Sequence, residues 1–213
     1  MNRFQNAWHI HLIHFKTFAD GVNYLKELRQ TGALPASIRL VNNNEFRFGQ
    51  ALKPAPSVVQ HWKEKVQKFT LLKVMGFDPL QMVACTILME GTEDEVEHQQ
   101  RTIFKLAKAY GGKSAGAANG KRGYTLTFGI AYIRDFLNQF NFLGETFETS
   151  VPWSQALTLC DDVKTAVYAE HESLGLPGKP FITCRITQVY DSGVCVYFYF
   201  AFYYRGVPNP QEV

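Results

Sequence analysis

What the chain lacks narrows its class before any motif is read. No apolar stretch reaches the roughly 18–20 residues needed to span a bilayer, so no transmembrane segment is expected. The start, M-N-R-F-Q-N-A-W-H-I-H, is too polar for a secretory leader, and the end, Gln211-Glu212-Val213, is not a peroxisomal tripeptide address. Charge of one sign is scarce. The 22 Lys+Arg against 19 Asp+Glu leave a net charge of +3, with no basic run or stacking series, so no nucleic acid partner is implied. Cysteine is sparse too. Cys85, Cys160, Cys184 and Cys195 have no C-x-x-C spacing, which removes zinc and dithiol motifs and leaves free thiols as the expectation. His9, His11 and His14 cluster without a nearby carboxylate or thiol, so they are expected at the surface and no metal is assigned. The glycines of Gly112–Gly120 fit neither a P-loop nor a G-x-G-x-x-G turn, and the segment reads as a loop.

What is present is aromatic and apolar in a regular pattern. Aromatics make up 14% of 213 residues, a length sufficient for a substantial core. Strands are expected at 7–15, 36–41 (ended by Asn42-Asn43-Asn44), 82–90 and 142–151. Helices are expected at 18–30, 57–73, from the Thr92/Glu95 capping box to Tyr110, at 123–139, and from Pro152 to about 174. The 57–73 helix would bury Val58, Trp62, Val66 and Phe69; the 123–139 helix Leu126, Ile130, Ile133, Leu137 and Phe140; the last helix Leu157, Cys160, Val163 and Val167. Strand–helix units at 82–110 and 142–174 point to an α+β fold. That fold is an antiparallel sheet with helices packed on one face, organised as two ferredoxin-like halves.

The stretch Pro180–Gly206 is the strongest local signal. Two runs of β-branched and aromatic residues flank Asp191-Ser192-Gly193, a hairpin turn with Gly at a position suited to a left-handed backbone. Alternation places Val194, Val196, Phe198, Phe200 and Phe202 on one face of the second strand. The other face carries Cys195, Tyr197, Tyr199 and Tyr203, matched on the first strand by Thr183, Arg185 and Thr187. A three-residue turn sets Thr187 opposite Tyr197 and Arg185 opposite Tyr199. The apolar face is core, and the polar face is where function is sought. Arg134 sits beside an apolar helical stripe, where pattern alone favours a surface ion pair with Asp135.

Four strings go beyond pattern: P-A-S-I-R-L-V-N-N (35–43), R-G-Y-T-L-T-F-G-I-A-Y-I-R-D (122–135), L-G-E-T-F-E-T-S-V-P-W (143–153) and the whole of 180–206. Together they resemble the alkyldihydroxyacetonephosphate synthase family, flavin-dependent transferases of peroxisomal ether-lipid synthesis. The resemblance runs from about residue 15 to the end, and residues 1–14 do not match. It implies the substrate-binding (cap) domain of an FAD-linked oxidase/transferase, with the FAD-binding domain and the family's histidine-rich segment without counterparts here. It also implies FAD as cofactor, and acyl-dihydroxyacetone phosphate and a long-chain fatty alcohol as substrates of a redox-neutral exchange. Peroxisomal location, peripheral membrane contact and a homodimer are further implied possibilities.

By the same resemblance, Tyr197 takes the catalytic acid/base position and Arg134 the substrate-binding position. Arg39 matches an arginine needed for activity, and Thr187 a threonine near the active site. A tyrosine is a weak base at neutral pH unless cations stabilise phenolate, and Arg185 and Arg134 are candidates for that. The chain alone is expected to neither hold FAD nor turn over. Two alternatives stay open: part of a flavin-linked 2-hydroxy-acid dehydrogenase, and a non-catalytic remnant that binds a lipid or a partner. Faces left uncovered are expected to form an apolar patch that favours dimerisation.

Overall fold

The computed structural model of the protein describes residues 7–52 and 70–210, with the side chains of 126–131 undescribed. The expected 57–73 helix lies almost wholly outside these residues. In chain order the elements are β1 (Ala7–Phe15), α1 (Phe18–Leu28), β2 (Ser37–Val41), α2 (Asn43–Ala51), β3 (Val83–Gly91), α3 (Glu93–Ala109), β4 (Lys113–Ala115), α4 (Gly116–Asn138), β5 (Phe142–Pro152), α5 (Ala156–Ser173), β6 (Phe181–Val189) and β7 (Gly193–Tyr203).

The seven strands form one sheet in the order β4-β1-β3-β2-β6-β7-β5, and every described pairing is antiparallel. The fold is α+β, as expected. β1–α1–β2 followed by β3–α3–β4 is a β-α-β-β-α-β unit. The second half, β5–α5–β6–β7, repeats the first four parts, and its strand order β5-β7-β6 mirrors β1-β3-β2. The counterpart of β5–α5 is therefore β1–α1, rather than β3–α3. The halves meet where β2 pairs with β6, through Leu40↔Ile186 and Val41↔Arg185.

Hydrophobic alternation decides which face is core. Ile13 and Phe15 of β1, Ile38 and Leu40 of β2, Val83, Cys85 and Ile87 of β3 and Val196 and Phe198 of β7 are all buried on one side. There they pack against Val22, Leu25 and Leu28 of α1, Val96 and Ile103 of α3 and Cys160 of α5. Capping boxes close the first turns of α1 (Thr17 with Asp20) and α3 (Thr92 with Glu95), satisfying amides that have no partner within the helix. The last helix starts later than expected. Pro152 ends β5, Trp153–Gln155 form a 3-10 turn, and Ala156 rather than Leu157 is buried.

Two helices cover the opposite face, both missed or shortened by the sequence reading. Asn42-Asn43-Asn44 does not simply end a strand. Asn42 caps α2 by accepting the Glu45 amide at 3.0 Å, and Asn43 and Asn44 tie the helix to neighbouring backbone carbonyls of Pro79, Met82 and Ile182. The segment Gly112–Gly120 is not a loop: it supplies β4 and the first turn of α4. A Cβ at Gly120 would lie 2.6 Å from the His11 carbonyl carbon, and one at Gly123 2.9 Å from Thr86 Oγ1. Glycine there lowers helix propensity but lets α4 lie directly on the strands. His11 and His14, on opposite faces of β1, are half-buried edge-on to Phe104 of α3 and Phe46 of α2, and of the three clustered histidines only His9 is exposed.

The hairpin turn also differs. Tyr190 N–H donates to Gly193 O at 2.9 Å, so the loop is the two residues Asp191–Ser192. Gly193 belongs to β7 with no left-handed backbone, and its missing side chain makes room for β5: a Cβ would lie 2.1 Å from Val151 O. Replacing Gly193 with Ala is therefore expected to destabilise the fold by about 3 kcal/mol, in the range of severe overpacking. Urea denaturation checks this, and a loss under about 0.5 kcal/mol, the scale of a bland surface change, would contradict the close approach.

Candidate functional site

The corrected register shifts the hairpin by two residues, which preserves the faces. Arg185 lies opposite Tyr197, Thr183 opposite Tyr199, and a bulge at Thr187 absorbs the offset before Gln188↔Cys195. Tyr197 in turn lies opposite Glu148 of β5, and Arg185 opposite Val41 of β2. One row, Val41–Arg185–Tyr197–Glu148, thus crosses four strands on the polar face. Sequence alternation found the face that carries Arg185 and Tyr197, but it set Arg185 opposite Tyr199 and Thr187 opposite Tyr197, neither of which is directly opposed.

The Arg185 guanidinium is the centre of this row. Its carbon lies 5.2 Å from the Tyr197 ring centroid and 4.8 Å from that of Tyr199, within cation–π range. Its Nη2 donates to the Tyr199 hydroxyl, and its Nη1 meets Glu45 Oε1 at 3.4 Å. The two tyrosine rings are 4.8 Å apart, and the Tyr197 hydroxyl donates to Thr146 Oγ1 at 2.9 Å. Burial pushes the Tyr199 hydroxyl well above the ordinary tyrosine range, against the opposing pull of Arg185.

Glu45 was missed by sequence reasoning because the element that carries it, α2, was missed. The signal was there: Asn42-x-x-Glu45 has the spacing of a capping box. Here the box is open. The Asn42 amide donates to Cys184 O at 3.0 Å instead, which leaves the Glu45 carboxylate to turn inward toward Arg185. Burial raises its pKa to about 7, with Arg185 and then Arg39 pulling the other way. Arg39 feels the same surroundings, its pKa lowered by burial and by the Arg185 charge. Both arginines and Glu45 line a cavity of about 90 Å³ between the sheet, α2 and the start of α4, together with Arg122, Thr86 and the apolar walls Leu12, Val41, Phe46 and Phe48.

The remaining expected residues lie elsewhere. Thr187 donates to Glu148 Oε1 at 3.1 Å, beside Tyr197 across the strands but not opposite it. Cys195 reaches the same carboxylate oxygen at 2.7 Å, and burial with that carboxylate raises its thiol pKa. Arg134 is exposed and pairs with Glu145 of β5 at 3.9 Å rather than with Asp135. It stands apart from the Arg39–Arg185 cavity. Near it Tyr132, Phe136 and Phe140 are exposed, so Phe140 is not part of the buried stripe. All four cysteines are free and buried; Cys184 lies on the core face beside Cys160, away from Cys195.

This geometry is that of a polar platform on an antiparallel sheet. The chain belongs to the family of FAD linked oxidases, C-terminal domain, which matches residues 6–212. It is 43% identical over 202 residues to alkyldihydroxyacetonephosphate synthase of Caenorhabditis elegans, covering 93% of this chain and 34% of that protein. The corresponding protein of Dictyostelium discoideum is 29% identical over 187 residues, covering 88% of this chain and 30% of its own length. A solved alkyldihydroxyacetonephosphate synthase superposes with a TM-score of 0.82 at 27% identity, over 97% of this chain and 36% of that one. p-Cresol methylhydroxylase shares the fold alone, at a TM-score of 0.52 and 12% identity. The chain spans about a third of the length of the relatives it matches.

The Glu45–Arg185 pair makes a testable energetic claim. At pH 8, Arg185→Met strands a buried carboxylate and is expected to cost about 3 kcal/mol. Combining it with Glu45→Gln should recover more than about 1 kcal/mol of that. Denaturant titration of the four proteins reads the coupling, and additive losses would show that the two side chains do not depend on each other.

Proposed function

We propose that this chain is the substrate-facing part of an FAD-dependent alkyl transferase of ether-lipid synthesis, working on acyl-dihydroxyacetone phosphate and a long-chain fatty alcohol. The family membership and the similarity to alkyldihydroxyacetonephosphate synthases support the reading. The single observation that carries it is the Arg185 guanidinium lying over the Tyr197 ring on the polar face of the sheet. In this reading Tyr197 exchanges a proton with the carbon between ketone and ester oxygen. Thr146 accepts its hydrogen bond and fixes the phenol, while the Arg185 guanidinium supplies positive charge beside the ring. Arg134, on the surface end of α4, is the proposed anchor for the substrate phosphate, released from Glu145 by a doubly charged competitor. Thr187 and Glu148 hold the β6–β7 bulge next to Tyr197, and Arg39 adds a second positive charge to the same cavity from β2. The exposed Tyr132, Phe136 and Phe140 beside Arg134 suit contact with a membrane surface, a second copy or the flavin domain. Location in the peroxisome follows from the same reading.

FAD does not fit the chain's own cavity. About 90 Å³ walled by Glu45 and three arginines is too small for an isoalloxazine and its pyrophosphate arm. In an enzyme that also holds FAD, the flavin would supply the electrophilic chemistry, and the residues here would contribute positioning and proton transfer. Gel filtration of the chain after incubation with FAD is expected to leave the protein without flavin absorbance. Retention of about one flavin per chain would overturn the division of labour proposed here. In the flavin-loaded enzyme that contains this domain, Tyr197→Phe is expected to lower alkyl exchange by about a hundredfold or more with the flavin spectrum unchanged. Exchange within about twofold of the unsubstituted enzyme, far short of that effect, would remove Tyr197 from the chemistry.

A further inference from the structure

Three guanidiniums and one carboxylate share the cavity between the sheet and α2, and the carboxylate arrives there by an unusual route. In α1 and α3 the acidic residue of the capping box turns back to its own cap amide. In α2 that amide is taken by Cys184 O, and Glu45 reaches instead into the sheet. Its side chain is 12% exposed and Arg185 is 9% exposed. Neither the second Glu45 oxygen nor Arg185 Nε has a hydrogen-bond partner. Both are cavity-lining groups, and a buried ionic pair with an unmet donor and acceptor is poorly satisfied. Beyond the charges the cavity wall is apolar: Leu12, Val41, Phe46 and Phe48.

We infer that Arg39 and Arg185 form a binding site for the oxyanion head of an amphiphile, and that Glu45 is a built-in anion that yields this place when a ligand enters. Two guanidiniums lining one cavity suit a tetrahedral oxyanion such as a sulfate or phosphate monoester, whose extra oxygens meet the Arg185 Nε donor that Glu45 leaves unfilled. The apolar wall beside the guanidiniums takes the first carbons of a chain, with the rest of it outside the cavity of about 90 Å³. This site is separate from the exposed Arg134 and needs no flavin, but it uses Arg185 and Arg39, which the transferase reading also uses; binding to the chain alone, read without turnover, tests it apart from that reading.

Displacement is easiest when Glu45 is neutral. The groups facing it are Arg39 on β2, Cys184 and Arg185 on β6 and Tyr199 on β7, with Arg122 of α4 across the cavity. Burial raises the Glu45 carboxyl to about 7. A ligand that binds the protonated form is therefore favoured as pH falls through that value. At pH 8 the competent fraction is about one in ten, which weakens apparent affinity about tenfold.

Calorimetric titration of the chain at low salt with methyl sulfate and hexyl sulfate, which keep one charge throughout, tests the proposal at pH 6 and pH 8. The unsubstituted chain should bind hexyl sulfate about tenfold more weakly at pH 8 than at pH 6. Glu45→Gln should bind equally at both pH values, matching the pH 6 affinity, with circular dichroism reporting an intact fold. Arg39→Lys and Arg185→Lys should each weaken binding at both pH values. A Glu45→Gln protein that keeps the pH dependence, or lysine variants that bind as the unsubstituted chain does, would overturn the site. Equal affinity for methyl and hexyl sulfate would overturn the assignment to an amphiphile.

Discussion

The seam between β2 and β6 is the constraint on which the rest of the structure depends. Each half of the sheet buries its own helices, but the halves become one sheet through only two paired positions, Leu40↔Ile186 and Val41↔Arg185. So short a ladder offers few hydrogen bonds, and α2 reinforces it. The Asn42 amide extends the ladder to Cys184 O, the Asn42 side chain accepts from Thr183, and Asn44 holds Ile182 O. The polar residues that stitch the halves together are the same ones that deliver Glu45 to Arg185. Joining the halves and building the polar site are one event.

That coupling explains why charged groups are tolerated so close to the core. The face of β6 that carries Ile182, Cys184 and Ile186 packs into the common core with Cys160, while Arg185 points the other way, under α2. Taking a guanidinium and a carboxylate out of water costs several kcal/mol per ion, repaid only by close pairing and additional hydrogen bonds. Arg185 obtains these from Glu45, from the Tyr199 hydroxyl and from two aromatic faces. Two tyrosines at alternate positions on β7 therefore do electrostatic work as well as packing, and the row they complete runs from the seam to the edge strand β5.

How much of this was legible in the sequence differs by layer. Strong periodicity gave β1, α1, β3, α3, β5 and the hairpin, because one-sided burial imposes a period of two or 3.6 that local reading detects. The family resemblance, carried on long strings, agrees with the family match over residues 6–212. Three features escaped for identifiable reasons. α2 is short and begins with asparagines, so its cap resembled a loop. The start of α4 is rich in small residues and glycines needed for contact with His11 and Thr86, a tertiary requirement invisible to propensity. The hairpin register depended on whether Gly193 made the turn or made room for Val151, and only the position of β5 decides that.

The site shows the same division. Alternation alone selected the face with Arg185, Tyr197 and Tyr199, since the side-chain period survives a two-residue slip. It could not select Glu45, because that carboxylate comes from an element 140 residues away in sequence from its partner. Nor does proximity in sequence to functional strings place Arg134 in the cavity: it faces solvent with Glu145, on the far end of a helix whose beginning contributes Arg122. A helix that lies across a sheet can present two cations to two different neighbourhoods. The division of charge along α4, one arginine inside the cavity and one at the surface, follows from the glycines that press its first turns onto β1 and β3.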